Sequence, residues 1–292
     1  MYLTPRYLKV ISALFIFILF ASACNNNKES DAAASSDPKI AALKLPAGFH
    51  ADHLYSPGIH DQGSWVAMTF DDEGRMITSD QYGNLYRLSI PPIGADTSQS
   101  KIKIDSIVLN IPVDTSKAGR RIGYAHGILY AFHSLYVVVN DEGDDASPRP
   151  SGLYRLQDTD NDGQFDKITM LKRLEGGGEH GPHSIILGPD GKSLYLIAGN
   201  FTHIPKMDSY TNASSWQFDN LLPLIRDPNG HDNGVETHGG WIARLDSAGN
   251  DFTLISNGFR NPFDLAFNDQ GDMFTFDSDM EWDFGLPWYR PI

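Results

Sequence analysis

Phe70-Asp71-Asp72-Glu73-Gly74, Leu187-Gly188-Pro189-Asp190-Gly191 and Phe267-Asn268-Asp269-Gln270-Gly271 repeat one turn frame, an apolar residue followed four positions later by glycine. Glycine in the last place suits a hairpin whose closing position needs positive φ. Apolar runs flank each copy, giving strand-turn-strand units centred on Val66 to Thr78, Ser184 to Ile197 and Asp264 to Phe276. A fourth unit, Gly127 to Val139, turns through Tyr130-Ala131-Phe132-His133-Ser134-Leu135 without glycine, so the repeat is degenerate there.

Alternation rather than helical period dominates from Phe49 onward, as in Leu85-Tyr86-Arg87-Leu88-Ser89-Ile90, Lys101-Ile102-Lys103-Ile104 and Ser193-Leu194-Tyr195-Leu196-Ile197. The spacing predicts strands near 65–70, 75–79, 83–90 and 102–110, then 127–132, 134–139, 152–156 and 167–174. A third group falls at 183–187, 193–198, 240–245 and 251–256, interrupted by an insertion from Asn200 to Gly239, and a fourth has only 262–267 and 272–277. This is an all-β chain, a β-propeller of four-stranded blades. The anchors Phe70, Phe132, Leu187 and Phe267 lie 62, 55 and 80 residues apart, so a six-bladed ring needs roughly 350 to 450 residues. The expectation is a six-bladed type with about four blades present, the last incomplete, rather than a four-bladed ring closed by Phe49 to Tyr55. Pro287 and Pro291 leave no clear closing strand after Trp282.

The N-terminus has a different purpose. Arg6 and Lys9 precede an apolar or small-residue run from Val10 to Ala23, too short for a typical membrane span and suited to a signal peptide. The run ends Ala21-Ser22-Ala23-Cys24, which resembles the lipobox of a bacterial lipoprotein and makes Cys24, the one cysteine, the expected lipidation site. The expected division is signal peptide 1–23, tether 24–47 and propeller domain 48–292, placing the protein on the bacterial cell envelope, periplasmic or outer-membrane face, held by a lipid anchor. A single cysteine excludes an internal disulfide and any Cys-x-x-Cys-His haem site in this sequence. A net charge of −14 without a basic stretch excludes nucleic acid as a partner.

In a propeller the innermost strand of each blade lines the axis, and the residues just before it face the mouth. That rule selects Tyr124-Ala125-His126, Glu179-His180-Gly181-Pro182-His183 and Gly258-Phe259-Arg260-Asn261-Pro262. Histidines beside a carboxylate, an arginine and an amide compose a polar funnel suited to a catalytic site.

His180, followed by Ile185-Ile186-Leu187-Gly188-Pro189-Asp190-Gly191, Leu194-Tyr195 and Ala198-Gly199-Asn200, resembles a blade of the glucose/sorbosone dehydrogenases, the soluble quinoprotein sugar dehydrogenases. Arg260-Asn261-Pro262 with Leu265-Ala266-Phe267 is similar to that family's Arg-Asn-Pro segment. The resemblance implies a catalytic base at His180, supported by Glu179, and contacts to pyrroloquinoline quinone from Arg260 and Asn261, with His183 and His126 as further candidates. It implies oxidation of a sugar or polyol hydroxyl. Phe276-Asp277-Ser278-Asp279-Met280-Glu281-Trp282-Asp283 and Gly285-Leu286-Pro287-Trp288-Tyr289-Arg290-Pro291 further resemble the bacterial membrane-bound dehydrogenase-like proteins. In these a cytochrome c domain follows the propeller, so the resemblance implies a cytochrome c electron acceptor and haem c only beyond Ile292. The rival expectation is a non-catalytic propeller that binds a glycan or protein.

Asp158-Thr159-Asp160-Asn161-Asp162-Gly163-Gln164-Phe165-Asp166 forms a separate motif. Carboxylates at alternate positions, with glycine at the sixth, wrap oxygens around a hard cation. The expected calcium ligands are Asp158, Asp160, Asp162, Gln164 and Asp166, in a strand-loop-strand site rather than an EF-hand, because position twelve is Thr169. His203, His231, Asp232, Glu236 and His238 in the insertion follow no metal-ligand spacing.

Overall fold

The computed structural model describes residues 37–95, 102–109, 121–141, 148–211 and 239–278. They fall in two compact units, divided after Leu54. In the first, α1 (Pro38–Ala41) starts where Asp37 accepts from the Lys39 N–H at 2.8 Å, with proline in the first turn. This short helix lies within the stretch read as tether. Cys24 and the signal peptide lie outside the described residues.

The second unit is built of antiparallel sheets in chain order. β1 (Trp65–Phe70), β2 (Met76–Asp80), β3 (Leu85–Leu88) and β4 (Ile104–Ile107) make the first blade. β5 (Ala125–Ala131), β6 (Ser134–Val139), β7 (Gly152–Gln157) and β8 (Lys167–Arg173) make the second. The third holds β9 (Pro182–Leu187), β10 (Leu194–Ala198), β12 (Gly240–Leu245) and β13 (Thr253–Phe259). From within the insertion, β11 (Ser209–Tyr210) adds a parallel fifth strand on β13, which the periodicity did not predict. β14 (Pro262–Phe267) and β15 (Met273–Asp277) form the two described strands of the fourth. This is the blade pattern of a β-propeller, innermost strand first.

The turn frame has a side-chain cause. At Asp71, Asp80, Asp246 and Asn268 the side-chain oxygen accepts from the backbone N–H groups two and four positions on. The glycine three positions on, Gly74, Gly83, Gly249 or Gly271, has φ from 74° to 89°. The acid or amide draws the chain back on itself, and only glycine takes that φ without a Cβ clash. Two copies, at Asp80 and Asp246, join outer strands and were not among the hairpins read from the sequence. The glycine-free hairpin closes differently. Phe132 (φ 53°) and His133 (φ 49°) form a two-residue loop between paired Ala131 and Ser134, the left-handed conformation of a type I′ turn.

Hydrophobic cores lie between successive blades. Ile77 and Leu85 pack with Ile128, Val137 and Leu156, Tyr136 and Val138 pack with Leu194, Leu196 and Trp241, and Ile197 and Ile242 pack with Leu265 and Phe267. Each fully buried aliphatic side chain contributes about 2 kcal/mol, so the blades hold one another in place.

A Cβ at Gly74 meets no atom within 4 Å, so Gly74→Ala isolates the backbone effect. It is expected to lower unfolding free energy by about 1–2 kcal/mol in a denaturant titration, and an unchanged midpoint would contradict the turn account.

Candidate functional site

Every blade carries a register break at the same end of its innermost hairpin. The irregularities fall between Trp65 and Ala67, between Ala125 and Gly127, opposite the Leu196 to Ala198 step, and between Pro262 and Leu265. Bulges of this kind re-aim a side chain. The residues they displace are Val66, His126, His183 with Ser184, and Phe263 with Asp264. Three of them meet. The His126 and His183 rings stack with centroids 5.6 Å apart and planes 12° apart, and Phe263 lies 4.7 Å from the His183 ring and 6.4 Å from the His126 ring.

Gly127 permits this approach. A Cβ there would lie 2.5 Å from the His183 carbonyl oxygen, so no larger residue fits without moving the blade. At Gly199 a Cβ would lie 2.6 Å from the His180 carbonyl oxygen.

A second repeated feature fixes the ring orientations. The second strand of each blade ends on, or is followed by, an amide or acid: Asp80, Asn140, Asn200 and Asp277. Asn140 is fully buried; its Oδ1 accepts from the Gly178 N–H and its Nδ2 donates to the Gly178 carbonyl, both at 2.8 Å. Those two bonds orient the amide, and its Nδ2 lies 3.1 Å from His126 Nδ1. His126 Nδ1 is therefore an acceptor, and the ring proton sits on Nε2. His183 Nε2 donates to Asn261 Oδ1 at 2.7 Å, and its Nδ1 faces His126 Nδ1 at 3.4 Å. His180 Nδ1 donates to Asn200 Oδ1 at 2.6 Å while its ring packs on Phe201, which makes Nε2 its basic nitrogen. Asp277 accepts from the backbone N–H groups of Arg260 and Asn261 at 2.9 and 2.8 Å.

The residues selected from the sequence are thus gathered at one end of the blades, at different depths. His126 is half-buried and lines a cavity of about 510 Å³ with Tyr82, Arg121 and Tyr124. His183 and His180 are each 1% exposed, and Arg260, 4% exposed, donates from Nη1 to the Ser278 carbonyl. Glu179 is exposed. Asn140, Asn200, Tyr82 and Arg121 were missed. The two asparagines were readable as equivalent positions, each just after the second strand of its blade. Burial lowers the proton affinity of both His126 and His183. The His183 imidazole is pushed down to about 4, against a smaller upward pull from Asn261 and with a further push down from neighbouring His126 and His180.

In the acidic loop Asp158, Asp160 and Asp162 bring carboxylate oxygens within 4.8 Å of one another. These three carboxylates also accept from backbone N–H groups of the loop, and the other two expected ligands are engaged as well. Gln164 Oε1 accepts from the Val108 N–H at 2.7 Å, and Asp166 accepts from the Thr159 N–H and hydroxyl. Arg87 of β3 donates to the Gly163 carbonyl at 2.5 Å, so this loop ties the second blade to the first. His203 is exposed, and His231, Asp232, Glu236 and His238 lie outside the described residues.

No family model and no curated relative matches the chain. Among solved structures it is similar to an oxidoreductase (glucose dehydrogenase) from Thermus thermophilus, with 16% identity and a TM-score of 0.42 over 73% of this chain and 56% of that one. A glucose dehydrogenase matches with 15% identity and a TM-score of 0.43 over 72% and 60%. The PQQ domain of a pyranose dehydrogenase from Coprinopsis cinerea matches with 11% identity and a TM-score of 0.41 over 78% and 48%. The chain spans 48% to 60% of the length of these three structures. Likenesses this distant assign no activity, and the propeller architecture rests on the sheet topology above.

The His183 environment sets a pH dependence. Unfolded, the imidazole titrates near its ordinary value of about 6.5; folded, it resists protonation down to about 4. Stability is therefore fully present above pH ~6.5 and falls as pH drops from there towards 4, by up to about 3 kcal/mol. His183→Phe should flatten that slope in thermal melts between pH 7 and 4; an unchanged slope would place the titrating group elsewhere.

Proposed function

We propose that this chain is the N-terminal part of a sugar or polyol dehydrogenase of the quinoprotein propeller type. The observation that carries the reading is the delivery, by successive blades to one end, of His126, His183 with His180, and Arg260 with Asn261. His180 is the proposed base. Its Nδ1–H is held by Asn200, so the basic ring nitrogen that would take a hydroxyl proton is Nε2. Glu179 lies next to it in sequence. Arg260 and Asn261, with His183 and His126 behind them, would hold pyrroloquinoline quinone. The Arg260 guanidinium supplies the positive charge that a polyanion would need, beside an Asp277 carboxylate that accepts from the two backbone N–H groups. Bound quinone supplies the hydride acceptor that side chains lack.

The rest of the proposal concerns the surroundings. Calcium would bind Asp158, Asp160 and Asp162 and stiffen the contact between the first two blades. Lipidation at Cys24 would attach the protein to the bacterial envelope, and electrons would pass to a cytochrome c. Among the described residues no helix is long and apolar enough to cross a membrane.

One observation favours a second reading, a non-catalytic propeller that binds a glycan or protein: His180 and Arg260 are both almost fully covered. Dye-linked sugar oxidation after titration with pyrroloquinoline quinone separates the two. The dehydrogenase reading expects quinone-dependent turnover reduced at least 100-fold in His180→Ala; no quinone binding by the intact protein would leave the binding module. For the acidic loop, millimolar calcium should raise the melting temperature by a few degrees, with the gain lost in Asp160→Asn and on chelation. A melting temperature indifferent to calcium would remove the cation from the account.

A further inference from the structure

The cavity between the first two blades is lined by neither His180 nor Arg260 and shares His126 with the residues proposed to hold the quinone. His126 and Arg121 supply its strongest donors. His126 lines it, and the ring's Nδ1 is committed inward to Asn140, so the nitrogen left for the cavity is the protonated Nε2. That nitrogen donates in the neutral ring and in the charged ring alike. Arg121 lines the same volume with a guanidinium that has only donors, positioned by a 3.1 Å bond from Nη1 to the Tyr82 carbonyl.

The acid in this wall does not oppose them. Asp80 is fully buried; its Oδ1 accepts from the Tyr82 and Asn84 N–H groups, and its Oδ2 from Asn84 Nδ2 and the Tyr86 hydroxyl. Gln81 Oε1 is similarly taken, accepting from the Ser64 N–H at 2.9 Å. Asp80 and Gln81 thus spend these oxygens on the protein's own turns, while His126 and Arg121 bring donors to a volume that Tyr82 and Tyr124 also line. Tyr82, 47% exposed, adds an aromatic surface beside them. A volume of about 510 Å³ falls within the usual range for small-molecule sites.

We infer that this cavity binds a carboxylate-bearing sugar, a hexuronate, with the carboxylate between His126 Nε2–H and Arg121 and the sugar ring against Tyr82. A carboxylate accepts from both donors at once in charge-assisted hydrogen bonds, which a neutral hydroxyl makes only in weaker form. The aromatic face suits the C–H side of a pyranose ring. The inference deepens the proposed function by naming an acidic sugar, yet carboxylate capture needs no quinone.

The test is calorimetric titration of the quinone-free full chain with D-galacturonate and, separately, D-galactose. Galacturonate should bind at least tenfold more tightly. His126→Gln keeps an N–H where Nε2–H stood and should retain most of that preference; His126→Phe and Arg121→Gln, checked for unchanged melting temperature, should each lose at least tenfold. ¹⁵N shifts of the His126 ring should report a proton on Nε2. Equal affinity for the two sugars, full binding by His126→Phe, or an Nδ1–H tautomer would each overturn the inference. Because no turnover is measured, its failure is separable from failure of the dehydrogenase reading.

Discussion

The register break at the mouth end of each innermost hairpin is the constraint on which the site depends. Without it, the strand alternation would carry His126 and His183 along the pleat into the inter-blade cores. The one or two residues displaced in each hairpin instead turn both imidazoles, with Phe263, towards a common point. The blades must also come close enough for those rings to touch. Gly127 sets that distance, since its missing side chain is where the backbone of the next blade runs.

Once the rings are placed, the polar residue at or just after the second strand of each blade decides what they can do. Asn140 and Asn200 fix opposite nitrogens as the proton carriers. His126 carries its proton on Nε2 and acts as a donor towards the cavity, whereas His180 carries its proton on Nδ1 and retains a basic Nε2. Two histidines of one cluster are thereby given different chemistry by amides that never need to touch a ligand. Desolvation reinforces the division by keeping His126 and His183 neutral near pH 7.

Much of this was readable in the sequence, for definite reasons. The apolar-to-glycine spacing identified the hairpins because positive φ at the last turn position is a local requirement, met at Gly74, Gly191 and Gly271. Strand bounds followed from alternation to within a few residues. The missed copies at Asp80 and Asp246 share the acid and glycine but join outer strands, where no repeat of the innermost pair pointed to them. The parallel strand β11 has only two residues and carries no period to detect. The mouth residues were found by position in the repeat, but their depth was not, because it depends on neighbours brought alongside by folding, Phe201 against His180 and Ser278 against Arg260 among them. Gln164 and Asp166 fitted the cation pattern by spacing, while Val108 and Thr159 compete for their oxygens in space.

The central claim is that close approach at Gly127 holds His183 neutral and out of water beside His126. Following the His183 ring by NMR from pH 8 to 5 tests it most directly. The account predicts shifts that stay nearly flat over this range in the intact protein, and titration near the ordinary histidine value of about 6.5 in Gly127→Ala. Titration of His183 near 6.5 in the unaltered protein would contradict it.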